Sequence, residues 1–221
     1  MCGGQTGTAK TVIVKDLLSS LDRKDYMMMM MNYSAQTSAN MSQDIIDGKL
    51  SKRRKGVFGP PLGKHCIIFV DDINMPKKEI YGAQPPIEIL RQCLCQGGWY
   101  DRGSNTFRQI VDVNFVCAMG PPGGGRTLVT QRFTRHFNLI FFVPFDNESL
   151  TLIFSAIFDS FLQAFPSGLR RLSPNIVAST IQLYSLIRKE LLPTPRKIHY
   201  TYNLRDIGKV FQGMLLKKCC I

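Results

Sequence analysis

Apolar residues along the first two thirds of the chain alternate between two kinds of pattern. Short continuous runs predict buried strands: Tyr26 to Met31, which holds five consecutive methionines, Cys66 to Val70, Val111 to Ala118, and Leu139 to Val143. Between them apolar residues recur at helical spacing, as Ile13, Val14, Leu17, Leu18 and Leu21, then Met41, Ile45, Ile46 and Leu50. Ile87, Ile89, Leu90 and Leu94 form another such set, opened by Pro85-Pro86 and ended by Gly97-Gly98. Trp99 to Phe107 predicts a short hairpin, and the stretch from Lys52 to Gly63 a turn-rich connector. Strands and helices in alternation predict an α/β fold, a parallel sheet with helices on both faces.

After Pro144 the strands stop. Asp146 can cap a helix with Leu150, Ile153, Phe154, Ile157, Phe158 and Phe161 on one face. Ser173-Pro174 starts a second helix, and Asn203 can cap a third that carries Leu204, Ile207, Phe211 and Met214. The expected division is an α/β part over 1–144 and a small all-helical lid over 145–221.

Chemistry enters where the first helix begins. Gly4-Gln5-Thr6-Gly7-Thr8-Ala9-Lys10-Thr11 fits G-x-x-x-x-G-K-[ST] except at Ala9, which stands where Gly is usual. Small residues let the backbone curl its N–H groups inward, and the helix N-terminus adds positive potential, so the loop suits the phosphates of ATP. Lys10 would reach the β- and γ-phosphates, and the Thr11 hydroxyl would ligate Mg2+. A helical φ would accommodate the Ala9 methyl without strain. The run Cys66 to Val70 ends in Asp71-Asp72, at the strand end where open α/β sheets bind ligands. Asp71 would hold Mg2+ through water, and Asp72 stands where a catalytic carboxylate polarises the attacking water. Gly120 to Arg126, after the third strand, should lie beside this site.

Such a loop normally follows a buried central strand, yet only Met1, Cys2 and Gly3 precede Gly4. That first strand is therefore expected to be missing. The runs 66–70 and 111–118 would then have unpaired edges and the chain would aggregate.

The chain has 221 residues, 44% of them hydrophobic, enough for a substantial core. No apolar run reaches the length of a membrane span, so no membrane partner is expected. The methionine run reads as core filling rather than a cofactor contact. Seven cysteines, Cys2, Cys66, Cys93, Cys95, Cys117, Cys219 and Cys220, form an odd set without paired C-x-x-C motifs, and read as reduced thiols. Net charge is +12, densest at Lys52-Arg53-Arg54-Lys55, with pairs such as Lys77-Lys78 and Lys217-Lys218. The pairs are scattered and the densest run lacks interleaved aromatics, which favours a solvated or protein-facing surface over nucleic acid.

Several longer stretches carry a resemblance. Val57-Phe58-Gly59-Pro60-Pro61-Leu62-Gly63-Lys64, Phe69 to Pro76 with its Asp71-Asp72, Tyr81-Gly82-Ala83-Gln84-Pro85-Pro86, Ala118 to Arg126, and Asn203-Leu204-Arg205-Asp206 together resemble the third AAA+ module of axonemal dynein heavy chains. The resemblance covers nearly the whole chain. It implies an ATP-binding and ATP-hydrolysing module, in a ring that drives ciliary movement along microtubules and where the third module regulates the main motor site. It also implies neighbouring AAA+ modules, microtubules, and dynein intermediate and light chains as partners of the parent chain, in the cytoplasm and cytoskeleton of the ciliary axoneme. Lys10, Thr11 and Asp71 match the phosphate and metal contacts, and Arg205 the second sensor. Arg135 is the choice for an arginine finger offered to the next module, with Arg132 as runner-up. Gly120 replaces the polar first sensor, and Asp72 is one methylene shorter than Glu; both imply slow hydrolysis. A non-hydrolysing nucleotide switch and a DNA-linked AAA+ helicase or loader are the alternative readings.

Overall fold

The computed structural model describes residues 1–197 and 199–216. Lys217-Lys218 and the thiols of Cys219 and Cys220 lie outside the described residues. β1 (Cys2–Gly4) leads through the Gly-rich loop into α1 (Lys10–Ser20), then β2 (Tyr26–Asn32), α2 (Ala39–Asp47), β3 (Ser51–Arg54), β4 (Val57–Gly59) and β5 (His65–Asp71). α3 (Pro85–Gln96) follows, then β6 (Gly98–Tyr100), β7 (Phe107–Ile110), β8 (Val113–Met119), α4 (Gln131–Thr134) and β9 (Ile140–Phe142). The rest is helical: α5 (Asn147–Leu162), α6 (Ser167–Arg170), α7 (Ser173–Glu190) and α8 (Leu204–Leu215).

Five strands form a parallel sheet in the order β2-β5-β8-β1-β9. The expectation of a missing first strand is corrected here. Cys2 and Gly3 pair with Ala118 and Met119 on one side, and Cys2, Gly3 and Gly4 with Ile140, Phe141 and Phe142 on the other. Three residues with no apolar pattern still form a strand, because two neighbouring strands present their backbone groups to it. Gly3 packs so closely that a Cβ there would stand 2.9 Å from the Phe141 ring. β5 and β8 consequently have partners on both edges, which removes the reason given for aggregation.

Alternation along β5 divides the sheet into two faces. Cys66, Ile68 and Val70 join Ile46 of α2, Leu90 of α3 and Phe133 of α4 in one core, whereas Phe69 joins Val14 and Leu18 of α1 in another. Helices therefore cover both faces. Within the methionine run Met29 and Met31 are buried, while Met30 between them is exposed.

The connector expected over 52–63 is instead partly sheet. β3 and β4 pair antiparallel, β4 lies parallel to β7, and β7 pairs antiparallel with β6, giving the order β3-β4-β7-β6. Charge and glycine hid these strands, since their stability comes from distant partners. The Arg53 guanidinium bonds Asp112 and the Pro60 carbonyl, and a Cβ on Gly59 would meet the Val111 carbonyl at 2.9 Å. The basic run is thus split: Arg53 is engaged, and Lys52, Arg54 and Lys55 are exposed. Beside this sheet Trp99 is fully buried and its indole N–H donates to Asp47 at 3.1 Å.

The short helices α4 and α6 were not expected from the pattern; four residues carry too few apolar positions to show a period. By contacts the chain forms two compact units, Met1–Gln5 with Ala9–Phe142, and Thr6–Thr8 with the chain from Val143 onward. The second unit has its own core, where Phe154, Phe158, Val177, Ile181, Ile207 and Phe211 are buried together. Asp146 caps α5 by accepting from Ser149, and Asn203 caps α8 within a capping box closed by Asp206.

Candidate functional site

The Gly-rich loop leaves β1 at Gly4 and enters α1 at Lys10. Gly7 takes φ +82°, and Ala9, the residue capping α1, also takes a left-handed backbone with φ 56° and ψ 14°. Ala9 thus does not take the helical φ that would spare its methyl strain. Alternation of left-handed and helical residues is what curls a loop into an anion-binding nest, so the curl overrides the methyl's preference.

Two elements distant in sequence meet here. The Thr11 hydroxyl donates to Asp71 Oδ2 at 2.7 Å, which joins the loop helix to the end of β5. Asp72, also left-handed at φ 50°, donates its backbone N–H to Asp71 Oδ1 at 3.0 Å, so both oxygens of Asp71 are held. Lys10 Nζ donates to the carbonyls of Gly4 at 2.8 Å and Gln5 at 2.6 Å, folding over the loop that it would serve. Its pKa is lowered, first by burial and then by the charge of Arg126, with Asp72 and Asp71 opposing. The donor set suits the groups expected. One carboxylate and one hydroxyl are hard oxygen ligands of the kind Mg2+ accepts while keeping waters and phosphate oxygens for its other positions. Among the described residues no cluster of three or more His, Cys, Asp or Glu forms a metal site by itself.

Gln5 and Thr6 are exposed and Thr8 is buried. Arg135 follows α4, exposed, with its Nε 3.4 Å from His136 Nε2; Arg132 is exposed on α4 itself. Arg205 is exposed in the first turn of α8, where its backbone N–H donates to Asn203. Neither Arg132 nor Arg135 joins the cluster around Lys10.

Two residues of the site were passed over in sequence. Asn74, 1% exposed, donates from Nδ2 to the Gly120 carbonyl at 2.8 Å, and its backbone carbonyl accepts from Thr127 N–H at 2.9 Å. It thereby ties the exit of β5 to both ends of the Gly-rich turn after β8. Arg126, at the end of that turn, donates from Nη2 to Asp72 Oδ1 at 3.3 Å. The signal for both lay in stretches already singled out, but an Asn after a strand reads as a breaker and an Arg after glycines as surface.

The family model described as "P-loop containing dynein motor region" matches residues 1–145, and one for the AAA+ lid domain matches residues 176–221. The chain is 51% identical to mouse (Mus musculus) dynein axonemal heavy chain 1, over 98% of its own length, and 52% identical to the human (Homo sapiens) protein of that name over the same share. It belongs to the family of P-loop containing dynein motor regions. Mouse dynein axonemal heavy chain 3 is also similar, at 51% identity over 96% of this chain. The chain spans about 5% of the length of these dynein heavy chains. What is present is AAA+ motor region, an α/β sheet of the P-loop type and a helical lid. Among the described residues no helix is long and apolar enough to cross a membrane.

Proposed function

We propose that this dynein segment is an ATP-binding AAA+ module, the third of its heavy chain's ring, with residues 1–144 as the α/β subdomain and 145–221 as the lid. The hydrogen bond between Thr11 and Asp71 supports the reading, because a hydroxyl and a carboxylate that meet next to Lys10 would serve as oxygen ligands of a nucleotide-bound Mg2+. Mg2+ with ATP would supply charge neutralisation of the phosphates. Gly4, Gln5, Thr6, Gly7, Thr8 and Ala9 form the cradle, Lys10 binds phosphate, Asp72 orients water, and Arg205 acts as second sensor. Arg135 is offered to the neighbouring module. The parent chain works in the axoneme with microtubules, its own AAA+ modules and intermediate and light chains, and this module regulates that motor.

A nucleotide switch that barely hydrolyses is the second reading. Two observations favour it: Asp72 is engaged by Arg126, and Gly120 itself carries no side chain to orient a water.

Titration of the chain with a fluorescent ATP analogue and Mg2+ tests binding. Lys10→Ala removes a charge-assisted contact, and affinity should fall by on the order of 1.5 to 3 kcal/mol. Equal affinities for wild type and variant would refute the assignment. Single-turnover assays on the same samples separate a slow ATPase from a switch that retains its ATP.

A further inference from the structure

The proposed roles leave one charged group of the site unused, Arg126. Gly123, Gly124 and Gly125 all take positive φ, and Gly123 and Arg126 exchange backbone hydrogen bonds at 3.0 Å in both directions. Only glycine makes such a sequence of left-handed residues cheap, and the resulting turn sends Arg126 back toward the end of β8. Its side chain then runs over Gly120. A Cβ at Gly120 would lie 2.8 Å from both Cδ and Nε of Arg126 and 3.0 Å from Cζ. The guanidinium therefore occupies space that any larger residue at the strand tip would fill, and its Nη2 reaches Asp72 at 3.3 Å.

The seat is fixed from below. Asn74 grips the Gly120 carbonyl, and Thr127, next to Arg126, donates from its hydroxyl to the Asn74 carbonyl at 3.1 Å. Arg126 is 23% exposed on its side chain. Lys10, next to Thr11 whose hydroxyl meets Asp71, is the other cation of the site. Two cations brought together in a partly screened site repel each other, and a polyanion beside them turns that repulsion into attraction. ATP carries a terminal phosphoryl group that ADP lacks, and a guanidinium matches its oxygens in geometry and charge.

We propose that Arg126 reads the terminal phosphate of the nucleotide, taking over from the loop the contact that the strand-tip glycine cannot make, with Asp72 as its resting partner when no triphosphate is bound. This rests on the nucleotide-binding reading above, and it assigns Arg126 to discrimination between ATP and ADP.

The test is equilibrium titration of the chain with fluorescent ATP and ADP analogues in Mg2+, for wild type, Lys10→Ala, Arg126→Ala, Arg126→Lys and Gly120→Ala. Arg126→Ala should lose about tenfold or more in ATP affinity, the usual scale of one charge-assisted contact, and less than about twofold for ADP. Arg126→Lys should fall between. Gly120→Ala keeps the arginine but pushes it off its seat, and should also narrow the preference for ATP. Circular dichroism melts of each variant show whether it is folded. A purely structural role would move the two nucleotides together. If wild type binds ATP and Lys10→Ala weakens this, while Arg126→Ala weakens both nucleotides equally or neither, this proposal alone is overturned. A wild type that binds neither nucleotide overturns both readings.

Discussion

Ala9 holds φ 56° at the entrance to α1, a region where a Cβ crowds the neighbouring carbonyl. The cost for a non-glycine residue is roughly 1 to 2 kcal/mol, against roughly 0.5 to 1 kcal/mol that glycine loses in unfolded-chain freedom. Ala9→Gly should therefore stabilise the fold by roughly 0.5 to 1 kcal/mol, read as a higher midpoint in urea. A lowered midpoint would mean that the methyl makes packing contacts worth more than the strain. Asp72 shares the left-handed conformation, but a short polar side chain tolerates it better, and its carboxylate is engaged by Arg126. At this scale the motif was legible and its conformation was not. Lys10, Thr11 and Asp71 are candidates by residue type and order, whereas the φ of Ala9 is imposed by a loop that must close between β1 and α1.

Among the elements, α8 is the clearest case of local sequence deciding structure. Asn203 Oδ1 accepts from the Arg205 N–H at 2.8 Å, and Asp206 accepts the Asn203 N–H at 3.0 Å, which satisfies two donors that a helix start leaves open. Asn203→Ala should cost about 1 kcal/mol, seen as a shift of the helical transition in urea-dependent circular dichroism. No shift would mean that α8 is held by its apolar face alone, where Phe211 stacks on Phe154 with centroids 4.4 Å apart. β3 and β4 are the opposite case. Nothing in Lys52 to Gly59 marks them as strands, because β3 is held to β4 with an irregular register and β4 to the distant β7. β1 belongs with them: its sequence, Cys2-Gly3-Gly4, is a strand because β8 and β9 lie on either side.

At the scale of the whole molecule, burial sorts the thiols. Cys66, Cys93 and Cys117 are buried, and burial pushes their pKa values up, to about 11 for Cys66 and about 12 for each of the other two. Thiolate is the reactive form, so these groups should be inert near neutral pH. Cys95, on the exposed side of α3 with its sulfur 3.2 Å from His136 Nε2, is open to reagent. Alkylation of the native chain at neutral pH, followed by peptide mass spectrometry, should label Cys95 well ahead of Cys66, Cys93 and Cys117. Equal labelling of all four would show that the sheet opens far more readily than its packing implies.

The sequence by itself determined the α/β class, the lid and the family, because each is written in short spans: periodicity over one element, or a motif of a few residues. Tertiary structure decided what joins those spans. Thr11 and Asp71 lie 60 residues apart, and Arg126 and Asp72 lie 54 apart. Hydrogen bonds at such separations form only after the sheet order β2-β5-β8-β1-β9 has set the strand ends side by side. Periodicity names an element and its buried face, but it carries no record of which neighbour supplies the missing backbone partners. For that reason the three residues of β1, and the arginine that returns over Gly120, became visible only in the folded chain.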